Sequence, residues 1–351
     1  MRKLADKSVR PTLPVSILKP LKGTDPEMYE SFRSHCQQDY SGFEIIFGVS
    51  DAGDPAIPLV ERLKQEFPQR AIRLIVCKDN LGANTKVSTL AQMLPHAKYE
   101  YLIVNDSDIR VEPDYLRCVL APLDDPSIGL VTCLYRGVAG NTLASRLESL
   151  AISTDFCPGV LAARQIEGIK FGLGSTLAFR RTDLQKIGGF EAFADYLADD
   201  YQIGNRIAAL GRRVELSEVV VETFLPAYTL REFFAHQLRW ARTIRDSRFS
   251  GYIGLGVTYG LLWAPLTLIL AGGAAWAWGL LAAMAVLRAA VALYAGGTVL
   301  ADRQVLRSLA LIPFRDVLAA IVWVVSFFGN TVTWRGQSFR LQKGKLVRVG
   351  P

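Results

Sequence analysis

Asp106-Ser107-Asp108 follows a short apolar run, Tyr101–Val104. Two carboxylates spaced this way at a strand end can hold a hard divalent cation, Mg2+ or Mn2+, which in turn holds a diphosphate. A solvated strand-end turn uses the same residues. Asp51 ends another apolar run, Phe43–Val49. A carboxylate there accepts hydrogen bonds from a base or ribose, or closes a turn or caps a helix. Lys19-Pro20-Leu21-Lys22-Gly23 ends a third run. A lysine such as Lys22 beside a glycine suits a phosphate or ribose edge, and equally a plain basic turn. Asp199-Asp200 open a helical stretch. The helix dipole accounts for one acid. The other stands among Tyr196, Leu197, Tyr201 and Ile203, and a carboxylate in such a cleft can act as a general base. Gln237-Leu238-Arg239-Trp240 lies just before a long apolar region. Arg239 suits a diphosphate through its forked donors and Trp240 can pack on a sugar or lipid. A membrane-interface tryptophan beside a snorkelling arginine is the competing reading.

These groups need a scaffold. The pattern predicts strands at Val15–Leu18, Phe43–Val49, Ile72–Cys77, Tyr101–Val104 and Ile128–Cys133. It predicts helices at Glu27–Gln38, Ile57–Phe67 and Val87–Leu94 between them. Alternation of this kind implies right-handed βαβ units, an α/β fold and a mostly parallel sheet. Ligands then bind beyond the carboxyl ends of the strands, where Asp51, Asp106 and Asp108 fall. Thr142–Leu161, Asp199–Leu210 and Leu230–Asp246 read as further helices, and Gly174–Phe179 as a strand.

The 351 residues are 50% hydrophobic and 21% charged, with net charge +7. The apolar excess is concentrated in 251–330, which excludes a disordered chain, a disulfide scaffold and a simple cytosolic enzyme. The basic excess flanks that region: Arg239, Arg242, Arg245 and Arg248 before it, then Arg335, Arg340, Lys343, Lys345 and Arg348 after it. That placement favours a membrane face over nucleic acid. Tyr252–Ala271 and Ala274–Tyr294 are long enough to span, with Arg288 placed to snorkel or pair. Leu309–Phe314 is broken by Pro313 and then by Arg315-Asp316, and Val317–Phe328 is too short to cross. Two spans plus a re-entrant or interfacial third segment keep the catalytic domain and the basic tail on one side, as the positive-inside rule asks. Five cysteines without a CxxC pair read as reduced thiols in a cytoplasmic domain, and three scattered histidines give no zinc pattern. The expected organisation is a polar segment at 1–13, a catalytic domain at 14–228, a juxtamembrane helix at 229–250, the membrane region at 251–330 and a basic tail at 331–351.

Taken in order, these signals resemble the family 2 and family 21 glycosyltransferases, and more closely the ceramide glucosyltransferase family. The resemblance rests on SILKPLKGTDP (16–26), VSDAGDPA (49–56), NLGANTKV (80–87), NDSDIRV (105–111), GLGSTLAFRR (172–181), LADDYQIG (197–204), HQLRWART (236–243) and TWRGQSFRL (333–341). It covers nearly the whole chain. LADDYQIG with HQLRWARTIRD is most similar to a bacterial branch that glycosylates hopanoids. The resemblance implies a GT-A catalytic domain on the cytoplasmic face of a bacterial inner membrane, using a UDP-sugar and a membrane lipid acceptor. It implies that Asp51 binds uridine, that Asp106 and Asp108 hold the metal and diphosphate, and that Asp200 is the catalytic base of one inverting displacement. Arg239 and Trp240 match the RW of the family's (Q/R)xxRW motif, and Lys86 falls on a lysine recurrent near the donor. The first position of that motif is His236 here, with Gln237 next to it as the substitute amide. Relatives usually begin with a membrane helix, and the segment MRKLADKSVRPTLP is polar and has no secretory signal character. The expected acceptor is bacteriohopanetetrol, receiving N-acetylglucosamine, with ceramide receiving glucose as the alternative. A processive polysaccharide synthase would need more membrane helices, and a binding module or inactive scaffold would not need the acids.

Overall fold

The computed structural model describes residues 12–334 and 337–348. Most of the polar segment at 1–13, Arg335 of the basic flank and the last three residues lie outside the described residues. An eight-stranded sheet in the order β3-β2-β1-β4-β7-β6-β8-β5 forms the centre. Its strands are β1 (Val15–Leu21), β2 (Phe43–Val49), β3 (Ala71–Val76), β4 (Tyr101–Val104), β5 (Ile109–Arg110), β6 (Ile128–Val138), β7 (Leu177–Arg180) and β8 (Arg213–Phe224). β3, β2, β1 and β4 run parallel. β7 is antiparallel to both β4 and β6, while β6 and β8 are again parallel. Every residue of β1 and β2 is buried, which is why both read as continuous apolar runs: parallel strands are covered on both faces.

The helices pack on the two faces. α1 (Met28–Cys36), α2 (Ile57–Glu66) and α4 (Tyr115–Leu120) put Phe32, Val60 and Tyr115 against Ile17, Phe47 and Val131. On the other face α3 (Thr85–Met93), α7 (Arg181–Lys186) and α8 (Asp199–Ala209) bring Val87, Leu184 and Ile203 to Leu18, Ile46 and Phe179. The helix expected at 142–161 is α5 (Leu143–Ala151), a π-helical turn Ile152–Phe156, and α6 (Cys157–Glu167). α9 (Leu230–Ser247) begins with a reciprocal cap: Thr229 Oγ1 accepts from Glu232 N–H, and the Glu232 carboxylate accepts from Thr229 N–H. All five cysteines are free thiols.

The apolar region contains α10 (Phe249–Leu255), α11 (Gly260–Leu270), α12 (Ala275–Ala292), α13 (Arg303–Ser308) and α14 (Ile312–Ser326). Two continuous helical stretches, Ala275–Val299 and Arg303–Ser326, are long and apolar enough to cross a membrane, while α10 and α11 form a pair bent by 55°. The breaks therefore differ from those expected. Pro313 sits in the first turn of α14, where its missing N–H costs no helical bond. Arg315 and Asp316 do not interrupt the helix, because they are buried and paired: Arg315 with Asp155 at 3.2 Å, Asp316 with Arg288 at 2.8 Å. The first segment is the broken one, at Tyr259, whose ψ of 61° leaves the helical region.

Residues 331–348, expected as a basic tail, fold instead as an antiparallel sheet of β9 (Thr331–Trp334), β10 (Gln337–Gln342) and β11 (Lys345–Arg348). Lys343 and Gly344 both have positive φ, at 52° and 80°, forming the two-residue turn that tight hairpins favour. Val332, Phe339, Leu341 and Leu346 point inward onto Ala83 and Leu197, so the cations alternate outward.

Candidate active site

The parallel register of β2, β1 and β4 pairs Leu21 with Val49 and Leu18 with Val104. Lys22, Asp51 and Asp106 consequently leave the sheet at one edge, beyond the carboxyl ends of adjacent strands. Asp51 is exposed and accepts from Gly53 N–H at 2.9 Å. Asp54, which the motif reading left aside, is buried. It accepts from Gly23 N–H at 3.0 and 3.2 Å and from Ala56 N–H at 2.9 Å, tying the two strand-end turns together. Gly23 has φ 71°, a conformation that favours glycine beside the exposed Lys22.

The turn after β4 rests on a buried polar network. Asn105 donates to the Tyr115 hydroxyl at 2.9 Å and to Ser175 C=O at 2.7 Å, and its Oδ1 lies 3.3 Å from His35 Nε2. Fully buried Lys19 donates to Asp106 C=O at 2.9 Å, and burial lowers its pKa to about 7. Lys19 thus supports the turn, while Lys22 is the lysine that faces solvent. Ser107 donates to Asp25 at 2.5 Å. Asp108 accepts from the Thr223 hydroxyl on β8, and burial, then Asp106, raise its pKa to about 6.

Asp106, Lys86, Asp199 and Asp200 come together. Lys86 Nζ lies 2.6 Å from Asp106 Oδ1 and 3.5 Å from Asp199 Oδ2. Burial opposes its charge, but Asp106, Asp199 and Asp200 outweigh that and hold its pKa above the ordinary value. Asn84 caps α3 by accepting from Val87 N–H at 3.1 Å, and its amide reaches Tyr196 C=O at 2.7 Å and Asp199 at 3.3 Å. Burial, with Asp199 alongside, raises Asp200 to about 6, and burial raises Asp199 as well. A Cβ on Gly174 would lie 3.2 Å from both Asp106 Oδ2 and Asp200 Oδ2, so this glycine borders both carboxylates. Gly204 packs α8 directly against the Phe171–Gly172 backbone. The C-terminal sheet clamps the approach to these acids: Leu346 N–H donates to Asp195 C=O at 2.7 Å, and Leu197 N–H to Gly344 C=O at 3.3 Å.

Arg239 and Trp240 arrive on α9. Trp240 is half-buried, with its ring 6.0 Å from Phe156 and 5.4 Å from His236, which stacks on Tyr228 at 5.7 Å. Burial pushes the Tyr228 hydroxyl up to about 12; Glu148 and Asp108 add to this and Arg239 opposes it. Gln237 donates to Glu148 at 2.6 Å and accepts from Arg315 at 3.2 Å, while His236 Nδ1 lies 3.2 Å from the other Glu148 oxygen. His236 and Gln237 therefore share one buried carboxylate that the motifs did not disclose.

Among the described residues no group of three or more His, Cys, Asp or Glu side chains is arranged to hold a metal ion. Asp106 is engaged by Lys86 and Asp108 by the Thr223 hydroxyl; a hard cation such as Mg2+ needs only one or two such carboxylates and completes its shell from water and phosphate.

The family model for glycosyl transferase family 21 matches residues 2–347. Ceramide glucosyltransferase 1 of Caenorhabditis elegans is 25% identical over 234 residues, covering 66% of this chain. The ceramide glucosyltransferase of Komagataella phaffii is 35% identical over 119 residues, covering 32%. The matched regions span 50% and 23% of those relatives' own lengths. A solved mannosyltransferase from Pyrobaculum calidifontis, in complex with GDP-Man and Mn2+, has the same fold: TM-score 0.52 at 22% identity, over 90% of this chain and 88% of that one.

Proposed function

Because the chain belongs to glycosyl transferase family 21, we propose that it moves a sugar from a nucleotide-sugar donor to the hydroxyl of a membrane lipid, inverting the anomeric centre. The observation that carries this is the Lys86-bridged cluster of Asp106, Asp199 and Asp200 beyond the carboxyl ends of β1, β2 and β4. Asp51 and Lys22 hold the nucleoside end, at the edge where open α/β sheets bind nucleotides. Asp106 and Asp108 would hold a divalent cation, Mg2+ or Mn2+, which when bound offsets charge on the departing diphosphate. Lys86 and Arg239 supply fixed positive charge to the same leaving group, the kind of stabilisation that often dominates catalysis. Asp200 takes the proton of the acceptor hydroxyl as that oxygen attacks the anomeric carbon from the face opposite the diphosphate. Its raised pKa makes it a stronger base than an ordinary carboxylate while leaving it ionised at pH 7. Trp240 offers an apolar wall for the acceptor.

The donor is a UDP-sugar and the site faces the cytoplasm at a bacterial inner membrane. The LADDYQIG and HQLRWARTIRD segments favour N-acetylglucosamine and bacteriohopanetetrol. The names of the matched relatives favour glucose and ceramide. Membranes carrying the protein, incubated with each labelled UDP-sugar and acceptor, separate these readings by the mass of the lipid product. Asp200→Asn is expected to abolish transfer while donor binding survives. Near-normal turnover of that variant refutes the base assignment, and no lipid product with any donor refutes the reaction.

A further inference from the structure

The Arg303–Ser326 stretch is long enough to cross a bilayer, yet its start and middle are tied to the catalytic domain and its end to α9 and α10 beside it. At its start Asp302 accepts from the Ser153 hydroxyl at 2.7 Å, and the Gln304 amide donates to Gly137 C=O at 2.9 Å. In its middle Arg315 pairs with Asp155 and Gln237. At its end Arg245 of α9 donates to Ser326 C=O and Gly329 C=O, and the Tyr252 and Ser326 hydroxyls lie 2.7 Å apart. A helix that begins and ends on one face of the protein lies along that face.

What projects is the hairpin of α11 and α12, joined through Gly272-Gly273, whose φ values are 58° and 78°. Its near boundary is marked by Arg288. This side chain donates to Thr154 C=O at 3.0 Å and pairs with Asp155 at 2.6 Å and Asp316 at 2.8 Å. A charged network of this kind is costly in hydrocarbon, so Arg288 sits at the interface. From Ala275 to Arg288 a helix rises about 20 Å, and α11 rises about 16 Å. The hydrocarbon core is about 30 Å thick, and tilt only shortens the reach. The limbs are apolar all round and open: Ile269 is 74% exposed, Leu270 79%, Trp276 62% and Val286 69%. A protein partner would cover one face, whereas lipid covers a hairpin on every side, including its tip.

The geometry points to a hairpin that enters one leaflet and passes the bilayer midplane without reaching the far side. The described residues are then held by the membrane from the catalytic side, in place of the two full spans expected at Tyr252–Ala271 and Ala274–Tyr294. The site and the acceptor share one leaflet, so an acceptor with its hydroxyl head at that surface reaches Asp200 without crossing. This deepens the lipid-acceptor reading and rests on its membrane placement.

Single cysteines in sealed vesicles test it, in full-length protein with Cys118→Ser, the native thiol that is not buried. Ile166→Cys, at a position 84% exposed on α6, is expected to react with an impermeant maleimide from the catalytic side. Ala275→Cys, at the hairpin tip, is expected to react from neither side until detergent is added. Labelling of Ala275→Cys from the far side shows a crossing and overturns the inference; labelling from the catalytic side shows a hairpin lying outside the bilayer and overturns it too. Should Ala275→Cys not accumulate, Ala271→Cys on the other limb reads the same depth. The labelling pattern needs no turnover, so a failure of the proposed reaction and a failure of this placement are told apart.

Discussion

Gly204→Ala pits two effects of opposite sign against each other. In an isolated helix the substitution stabilises by about 1 kcal/mol, because glycine is the poorer helix former. Here the new methyl group falls against Gly172 N and the Phe171 carbonyl carbon, and 2.7 Å from Phe171 Cα. All three are backbone atoms, so no side chain can swing aside. Ordinary carbon contact needs about 3.5 Å, so α8 must retreat by about 1 Å. Overpacking of this kind costs about 1–3 kcal/mol, leaving a net loss of about 0–2 kcal/mol once propensity is counted. The functional effect is larger. Asp199 and Asp200 stand one helical turn before Gly204, and a 1 Å displacement of a reacting group costs about 100-fold in rate. The assay is kcat for lipid transfer alongside a thermal midpoint in detergent. Expected are a midpoint near that of the parent and kcat lower by about two orders of magnitude, with donor KM little changed, because Asp51 and Asp106 are not carried on α8. A variant that is more stable than the parent and within threefold of its kcat refutes the reasoning, since it would show that this contact does not hold Asp200 in place.

Three further outcomes are expected. Activity and the contribution of Asp200 to stability should respond to pH in opposite directions between about 4 and 6. Asp200 moves from 3.8 in the unfolded chain to about 6 in the fold, so the native state binds the extra proton in this window and its contribution to stability falls as pH rises, whereas transfer rises as the base ionises. A pH–rate profile, beside pH-dependent denaturation of the parent compared with Asp200→Asn, checks both signs. Asn105→Ala removes the buried donor to Tyr115 and Ser175 and should cost about 2–4 kcal/mol, measured by urea unfolding. Phe339→Ala empties the small core under the C-terminal sheet, a cost of about 3 kcal/mol. Hydrogen exchange should show 337–348 released from Leu197, with transfer reduced while the main unfolding transition stays in place.

How much of this was legible in the sequence depended on whether a residue's role is local. β2 and β4 are legible with their full bounds because buried parallel strands carry uninterrupted apolar runs. Asp51, Asp106 and Asp199-Asp200 stood out because each marks the end of a run or the start of a helix. Lys86 had no local signal. Its meaning comes from Asp106 and Asp199, far away in the chain, and only the family resemblance singled it out. Asp54, Asn84 and Glu148 stay hidden because, whatever local bonds they make, each also binds a partner at least 31 residues distant. β8 escaped a period-two reading because it bulges against β6. Thr132 pairs with Leu216 but Leu134 with Val220, so the alternation slips midway. The C-terminal sheet reads as a tail because its charges are many, yet Val332, Phe339, Leu341 and Leu346 alternate inward at strand spacing.

The same distinction between composition and contact governs the basic residues flanking the apolar region. Counted in sequence, Arg242 and Arg245 are cations on the cytoplasmic side of a span. In the fold they are tied to the chain around the end of α14: Arg242 donates to Phe328 C=O at 2.7 Å and to Thr331 C=O, and Arg245 to Ser326 C=O and Gly329 C=O. The last carbonyls of a helix have no partner within it and carry its negative dipole end, so arginine is a natural cap. These two side chains join α9, which bears Arg239 and Trp240, to the end of α14 and the start of the C-terminal sheet, which in turn holds Leu197 ahead of Asp199 and Asp200. A charge count would assign them to lipid headgroups, whereas their partners assign them to holding the two halves of the site in register.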